Sequence, residues 1–449
     1  MKKKEIKKVV FYYSTNRLLR TTLIGHLYEI TQVYPVILLA EELDQELEKI
    51  IKNKELFPKL ERIIFVYQHT GSQINIIKKN YELKKLAKDV IFNYKPDLVI
   101  TPNDLYPFEM YLLRFAKKIN AVTLSLQPGN TLPGDQIRKK IDLVNAHIRF
   151  PKFFPFFLRS FFVQCRKYYG HILYYWILPI LAGEKPFFGK SSYILKKGGS
   201  GMRDADYQIV FSERDYNIFL KDGVFSERIY ILSHPLKRKN ARKIFEKILL
   251  ENGNEKTNEK FITFLVHSDE VGFRKKDHSF ISQKERLKTR IEIIKLTVDA
   301  LKDYKIFIKP HPNVRNFYKL KEIFEPISPL VKVVEPSEPV DKYIKISSII
   351  IGLPISMSTA LFYTFLMFPE KIIISLDFDK ELIGDFYEGH EGIKYIDNKE
   401  EFIETLKLIK NNKFIKRATI EEKKQNPKEF PNFIDLINAL VLEDYGPKK

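Results

Sequence analysis

Short, mostly apolar runs alternate with amphipathic helical stretches along almost the whole chain, and this alternation constrains the fold more than any other feature. Runs at 8–13, 36–40, 63–67, 97–101 and 122–126 are rich in Val, Ile, Leu, Phe and Tyr; 21–31, 42–52 and 74–92 between them read as helices, as does the stretch after the 102–104 turn, through 118. Strands that lack a polar face belong in a sheet covered on both sides. Strands separated by helices at this spacing predict a parallel, doubly wound sheet with right-handed crossovers. Further runs at 206–211 and 228–232 complete this first series. A second series begins at 261–266 and continues through 306–308, 331–334, 348–351 and 372–376, with helices at 283–302, 359–367, 400–411 and 432–442.

The reading is therefore α/β with two domains, which a chain of 449 residues with 44% hydrophobic content can support. The first spans 1–239, a polar linker covers 240–260, the second spans 261–428, and 429–449 forms a C-terminal helix and tail. Cys165 is the only cysteine, so an intramolecular disulfide and a CxxC zinc site are excluded, as suits a reducing compartment. The basic N-terminus leads into a strand rather than a signal peptide. No stretch approaches the ~20 apolar residues of a membrane span.

The net charge is +20, which points to anionic partners or to a surface simply solvated by lysine. Between 150 and 197 aromatics crowd together, as in Phe153-Phe154-Pro155-Phe156-Phe157 and Tyr174-Tyr175-Trp176, interleaved with Lys152, Arg159, Arg166 and Lys167. This is the composition of a segment lying on an anionic membrane, or of a helical insertion whose aromatics pack inside the protein. No zinc-finger, RNP or helix-turn-helix pattern appears, so no nucleic-acid partner is expected.

The stretch from Ile306 to Met367 carries the chemistry. One apolar run ends in Lys309-Pro310-His311-Pro312-Asn313; another, closing at Gly352, leads to a polar turn with Ser356, Ser358 and Thr359, and a helix follows. In open α/β sheets ligands bind beyond the carboxyl ends of the strands, where helix N-termini attract anions. The stretch reads as the floor of a phosphate-bearing ligand site. His267-Ser268-Asp269-Glu270 follows the first strand of the same domain, where Ser268 could also touch phosphate.

Two such domains facing a cleft resemble the GT-B glycosyltransferase architecture. Lys309-Pro310-His311-Pro312-Asn313 with Ser356-Met357-Ser358-Thr359-Ala360 resembles the histidine–proline and serine/threonine motifs of bacterial capsule-type transferases: polysialyltransferases, capsule Kdo transferases and teichoic-acid glycerol-phosphate polymerases. Ala121–Gly129 resembles the family's strand before a QHG-like turn, but Pro128 stands in the histidine's place. The resemblance implies a CMP- or CDP-linked sugar donor whose phosphate is held by His311, Ser358 and Thr359, with no metal and no other cofactor. It implies a cytoplasmic enzyme, peripheral on the inner face of the membrane, that transfers a sugar to a surface glycan or lipid-linked acceptor.

Breaking a glycosidic bond to a nucleotide builds negative charge on the leaving phosphate, which fixed donors stabilise. His311, the Ser358 and Thr359 hydroxyls and Lys309 fill that role; otherwise His311 is a strand-end histidine bonded to backbone and Ser358 a helix cap. A carboxylate must also move a proton. Asp104, just past a strand, and Glu109, in the following helix, are the candidates, although Asp104 also suits a helix cap. Asp135 and Glu213 are weaker candidates, and Arg17 and Arg20 could meet an anionic acceptor. His26, His147, His171 and His390 show no metal-ligand spacing and read as structural or surface residues. Two alternatives stand beside the transferase: a nucleotide-sugar epimerase of the same two-domain shape, and a non-catalytic nucleic-acid- or membrane-binding protein.

Overall fold

The computed structural model describes residues 6–13, 23–41, 43, 45–66, 76–102, 107–126, 173–185, 205–221, 224–251, 259–266, 273–274, 280–311, 314, 317–353, 359–380, 392–414 and 429–442. The elements form in the order the alternation predicts. They begin with β1 (Val9–Tyr13), α1 (Ile24–Val33), β2 (Val36–Ala40), α2 (Gln45–Lys52), β3 (Leu60–Phe65), α3 (Ile76–Tyr94), β4 (Leu98–Thr101), α4 (Pro107–Lys118) and β5 (Val122–Leu126). A π-helical turn, Leu173–Ile177, runs into the short α5 (Leu178–Leu181). Then come β6 (Tyr207–Val210), α6 (Glu213–Lys221), β7 (Ile229–Leu232) and α7 (Lys239–Glu251).

The second series is β8 (Lys260–Val266), a small antiparallel pair of β9 (Phe273–Arg274) and β10 (Phe280–Ile281), α8 (Gln283–Ala300), β11 (Tyr304–Pro310), α9 (Phe317–Phe324) and β12 (Val331–Val333). It continues with α10 (Val340–Ile346), β13 (Ile349–Leu353), α11 (Thr359–Met367), β14 (Ile372–Leu376), β15 (Lys394–Ile396) and α12 (Lys399–Lys410). The chain closes on β16 (Glu429–Phe430) and α13 (Phe433–Leu442).

These elements form two compact units. In the first, eight parallel strands lie in the order β16-β7-β6-β5-β4-β1-β2-β3. In the second, six parallel strands lie in the order β12-β11-β8-β13-β14-β15. Both are doubly wound: the chain moves outward from the first strand on one side, then returns to its other side. The central strands are buried over most of their length for this reason; β1, β2 and β13 have no exposed residue, whereas the edge strand β3 exposes Glu61 and Arg62. Val10, Tyr12, Ile37, Leu39 and Val99 pack against Ala87, Val90 and Ile91 of α3 and Tyr111 and Phe115 of α4. In the second unit Ile262, Phe264, Ile306, Ile308, Ile349 and Ile351 pack with Ile293 and Ile294 of α8 and Phe402 and Leu406 of α12. Ser282 opens α8 with a capping box, its hydroxyl accepting from the Glu285 N–H while the Glu285 carboxylate accepts from the Ser282 N–H.

Two segments depart from the sequence reading. The polar 240–260 stretch, expected as a linker, is helical over its first half. Ala241, Ile244 and Phe245 recur at the i, i+3, i+4 spacing and are buried, while Arg242 and Lys243 between them disguised the stripe. A side chain at Gly25 of α1 would lie 2.8 Å from Phe245 and 3.2 Å from Ala241, so glycine is what lets α7 approach α1. The segment before the expected C-terminal helix forms β16, which pairs with β7, and that helix, α13, packs on α1, where the Tyr34 hydroxyl donates to the Asn438 side-chain carbonyl at 2.8 Å. No described helix is long and apolar enough to cross a membrane.

Candidate functional site

In each sheet the crevice where winding reverses is the place a ligand is offered strand ends and helix N-termini together. In the second unit it lies between β8 and β13, which end side by side at Val266 and Leu353. β11 ends next to them on the β8 side. His311 follows β11 directly; its N–H donates to the Val266 carbonyl at 2.7 Å and its carbonyl accepts from the Val314 N–H at 2.9 Å. Its half-buried ring therefore stands at this carboxyl edge, one strand from the reversal. Thr359 begins α11, the helix that follows β13. That helix lies unusually close to its strand: a side chain at Gly352 would come within 2.5 Å of Leu361. Ser268, Ser356 and Ser358 lie outside the described residues, as does the side chain of Thr359. The segments that carry them, 267–270 and 354–358, are the ones that leave the paired ends of β8 and β13.

Lys309 sits on the same strand end, but its charge is turned into the protein. It is buried, and its ammonium donates to the carbonyls of Pro310 (3.1 Å), Glu335 (3.1 Å) and Pro336 (2.8 Å). Burial pulls it down to about 8, against the raising influence of Glu338 and Glu335. With three donors on three carbonyls, it ties the end of β11 to the loop after β12.

In the first unit the reversal lies between β1 and β4. Asp104, two residues beyond the described end of the β4 segment, is outside the described residues, as are Asp135, Arg17 and Arg20. Glu109 is described: it lies in the first turn of α4 and is fully buried. The start of α4 is held by Phe108, whose ring meets Tyr12 of β1 edge-on at 5.0 Å. The Tyr12 hydroxyl donates to the carboxylate of Glu41, which follows β2 at the same edge. Glu213 is exposed in the first turn of α6.

The sequence reading missed a buried polar cluster on the carboxyl side of the first sheet. Arg238 forms an ion pair with Glu29, and both side chains are almost wholly enclosed. Its other terminal nitrogen donates to His26 Nδ1 at 2.7 Å, which leaves the ring proton on His26 Nε2. The His26 ring stacks on Phe211, just past β6, and meets Phe433 of α13 edge-on at 4.9 Å. His234, just past β7, packs against Phe211 and accepts from the Leu236 N–H. Burial first, then Arg238, holds His26 well below its usual value; the same causes bring His234 to about 3. Burial lowers Arg238 to about 10 and raises Glu29, although the ion pair opposes both changes. The one clue was His234-Pro235 after a strand, the same dipeptide as His311-Pro312. Sequence alone does not separate the two fates: both rings are half-buried, but His234 packs against Phe211 beside the Arg238 cluster, whereas His311 stands at the carboxyl edge of the second sheet.

No protein-family model matches the chain, and no curated protein matches it. Solved structures do. The UDP-GlcNAc 2-epimerase from Methanocaldococcus jannaschii matches with a TM-score of 0.53 and 14% identity over 97% of this chain and 99% of that one. The UDP-GlcNAc 2-epimerase from Neisseria meningitidis, bound to UDP-GlcNAc, matches with a TM-score of 0.50 and 13% identity over 97% and 100%. The chain has the fold of these epimerases. The two Rossmann-like sheets of the GT-B type are thus as expected, but the capsule-transferase resemblance finds no counterpart. The main functional expectation, transfer of a sugar to a glycan or lipid-linked acceptor, is corrected. These two structures, which share the fold end to end, are epimerases, the alternative weighed beside the transferase.

Proposed function

We propose that the chain is an enzyme, an epimerase that inverts one ring carbon of a nucleotide-linked amino sugar of the UDP-GlcNAc type. The observation that carries this reading is the end-to-end correspondence with two 2-epimerases, which covers 97% of this chain in each case. The crevice at β8 and β13, with His311 beside it, supports placing the nucleotide's diphosphate there.

The chemistry explains why an epimerase and a transferase want the same phosphate floor. C2 of such a sugar is not next to a carbonyl, so its proton is not acidic. Loss of the C2 proton together with the nucleoside diphosphate from C1 leaves a 1,2-unsaturated sugar. Return of the diphosphate to C1 and of a proton to the opposite face of C2 gives the epimer, and nothing else is consumed. The diphosphate gains charge as it leaves, and His311 is the donor we assign to it. Asp104 and Glu109 are the carboxylates we assign to the proton transfers. Ser268, Ser356, Ser358 and Thr359 complete the phosphate contacts, and the reading requires no metal.

The test is proton NMR of UDP-GlcNAc incubated with the protein in D2O. The expected result is a 2-epimer that carries deuterium at C2, formed with no acceptor present. His311→Ala should slow it by about 10²–10³-fold. Neither exchange nor epimer from the wild-type protein would overturn the proposal.

A further inference from the structure

Beyond the sheets, one described surface is built the wrong way round for water. The turn Leu173–Ile177 and α5 bury Leu178, Pro179 and Ala182 against the first unit. Polar bonds fix them there. Asn80 of α3 donates to the Leu178 carbonyl at 3.1 Å, Lys84 donates to the Ala182 carbonyl, and Glu184 pairs with Lys84 at 3.3 Å and Lys118 at 3.7 Å. The opposite face presents large apolar groups: Trp176 and Ile177 are each 41% exposed, Ile180 and Leu181 each 56%. Ile77 and Tyr81 flank the anchoring Asn80 on α3 and are 54% and 57% exposed. A group of exposed large apolar side chains on two neighbouring, hydrogen-bonded helices marks an interaction surface.

We propose that this patch seats the protein on an anionic lipid bilayer. Three features select a membrane over a second copy of the chain. The patch carries a tryptophan and a tyrosine, the residues that lodge at the headgroup level. The same α3 surface continues into exposed Lys78, Lys85 and Lys88, and Lys185 follows α5, so cations border the apolar face. The whole chain carries +20, which draws it to anionic headgroups and sets two copies against each other. No described helix can span a bilayer, so the contact is a peripheral one in which four to six side chains enter the interface.

Trp176 is the chain's only tryptophan, so its emission reports on the patch directly. The full-length protein is titrated with phosphatidylcholine vesicles, with and without phosphatidylglycerol, and binding is read by sedimentation as well. The expected result is a blue shift and co-sedimentation with the anionic vesicles, weakened by added salt. Ile180→Asp with Leu181→Asp should weaken partitioning by about tenfold or more. Both side chains are more than half exposed, so far-UV circular dichroism should remain that of the wild type. Three results would overturn the proposal: no shift with anionic vesicles, undiminished binding by the double variant, or a wild-type dimer in sedimentation equilibrium that the double variant abolishes. The last would assign the patch to a second copy. Turnover of a soluble nucleotide sugar should be unchanged in this variant, so this proposal and the epimerase reading can fail separately.

Discussion

Replacing Arg238 with methionine should unfold much of what holds the first unit together. Arg238 is 4% exposed, and its guanidinium bonds Glu29 and His26 at once. Methionine fills much of the volume but leaves the Glu29 carboxylate with only the backbone N–H groups of Phe433 and Ala241. Stranding a buried charge in this way costs about 3–5 kcal/mol. With a urea m-value near 2 kcal/mol/M, the midpoint should fall by about 2 M. Trp176 belongs to the same unit, so its fluorescence follows this unfolding alongside far-UV circular dichroism. The loss should also depend on pH. Burial already raises Glu29, and without Arg238 the folded state would hold a proton there that the unfolded chain releases. Stability of the variant should therefore fall as pH rises above the ordinary carboxyl range, by up to about 1.4 kcal/mol per pH unit. Adding Glu29→Gln removes the stranded charge while its carbonyl still accepts from the two backbone N–H groups, so the double variant should recover most of the loss. A single variant within about 1 kcal/mol of wild type, or a double variant as unstable as the sum of both singles, would refute the reasoning.

Two further outcomes follow from the same unit and from the crevice. His26 and His234 are both held neutral by burial, while an unfolded histidine takes up a proton below about pH 6.5. Acid thus favours the unfolded chain, and stability should decline below that pH by about 1.4 kcal/mol per unit for each histidine. Glu29 opposes this because its folded carboxyl is raised. His26→Asn, which keeps an acceptor for Arg238, should make urea midpoints between pH 5 and 6.5 less steep; an unchanged slope would rule His26 out. In the second unit, Gly352→Ala should cost about 1–3 kcal/mol by overpacking, because Leu361 is buried and cannot swing clear. Thermal unfolding measures this, and Gly352→Ala with Leu361→Ala should recover part of the loss.

The fold was legible because each strand announces itself locally. Val9–Tyr13 and Ile349–Leu353 are apolar without interruption since both faces are covered, and nothing distant is needed to see that. The edge strands β15 and β16 were not legible: three and two residues long and only partly buried, they have no period to detect. The helix α7 was hidden by its lysines, although its Ala241, Ile244 and Phe245 stripe was present. His311 could be singled out because strand-end placement follows from its neighbours in sequence.

What sequence alone determined, then, is whatever depends on residues near one another: the alternation, the two sheets, and the carboxyl-edge placement of His311. The tertiary structure decided what depends on residues far apart. Strand order sets the two reversal crevices, and no local pattern encodes which strand lies beside β8. Arg238, Glu29 and His26 meet across more than two hundred residues, so no spacing could reveal the cluster. Lys309 looked like a phosphate ligand until folding brought the Glu335 and Pro336 carbonyls to it. A side chain's chemistry is local, but the partner that spends or frees it is chosen by packing.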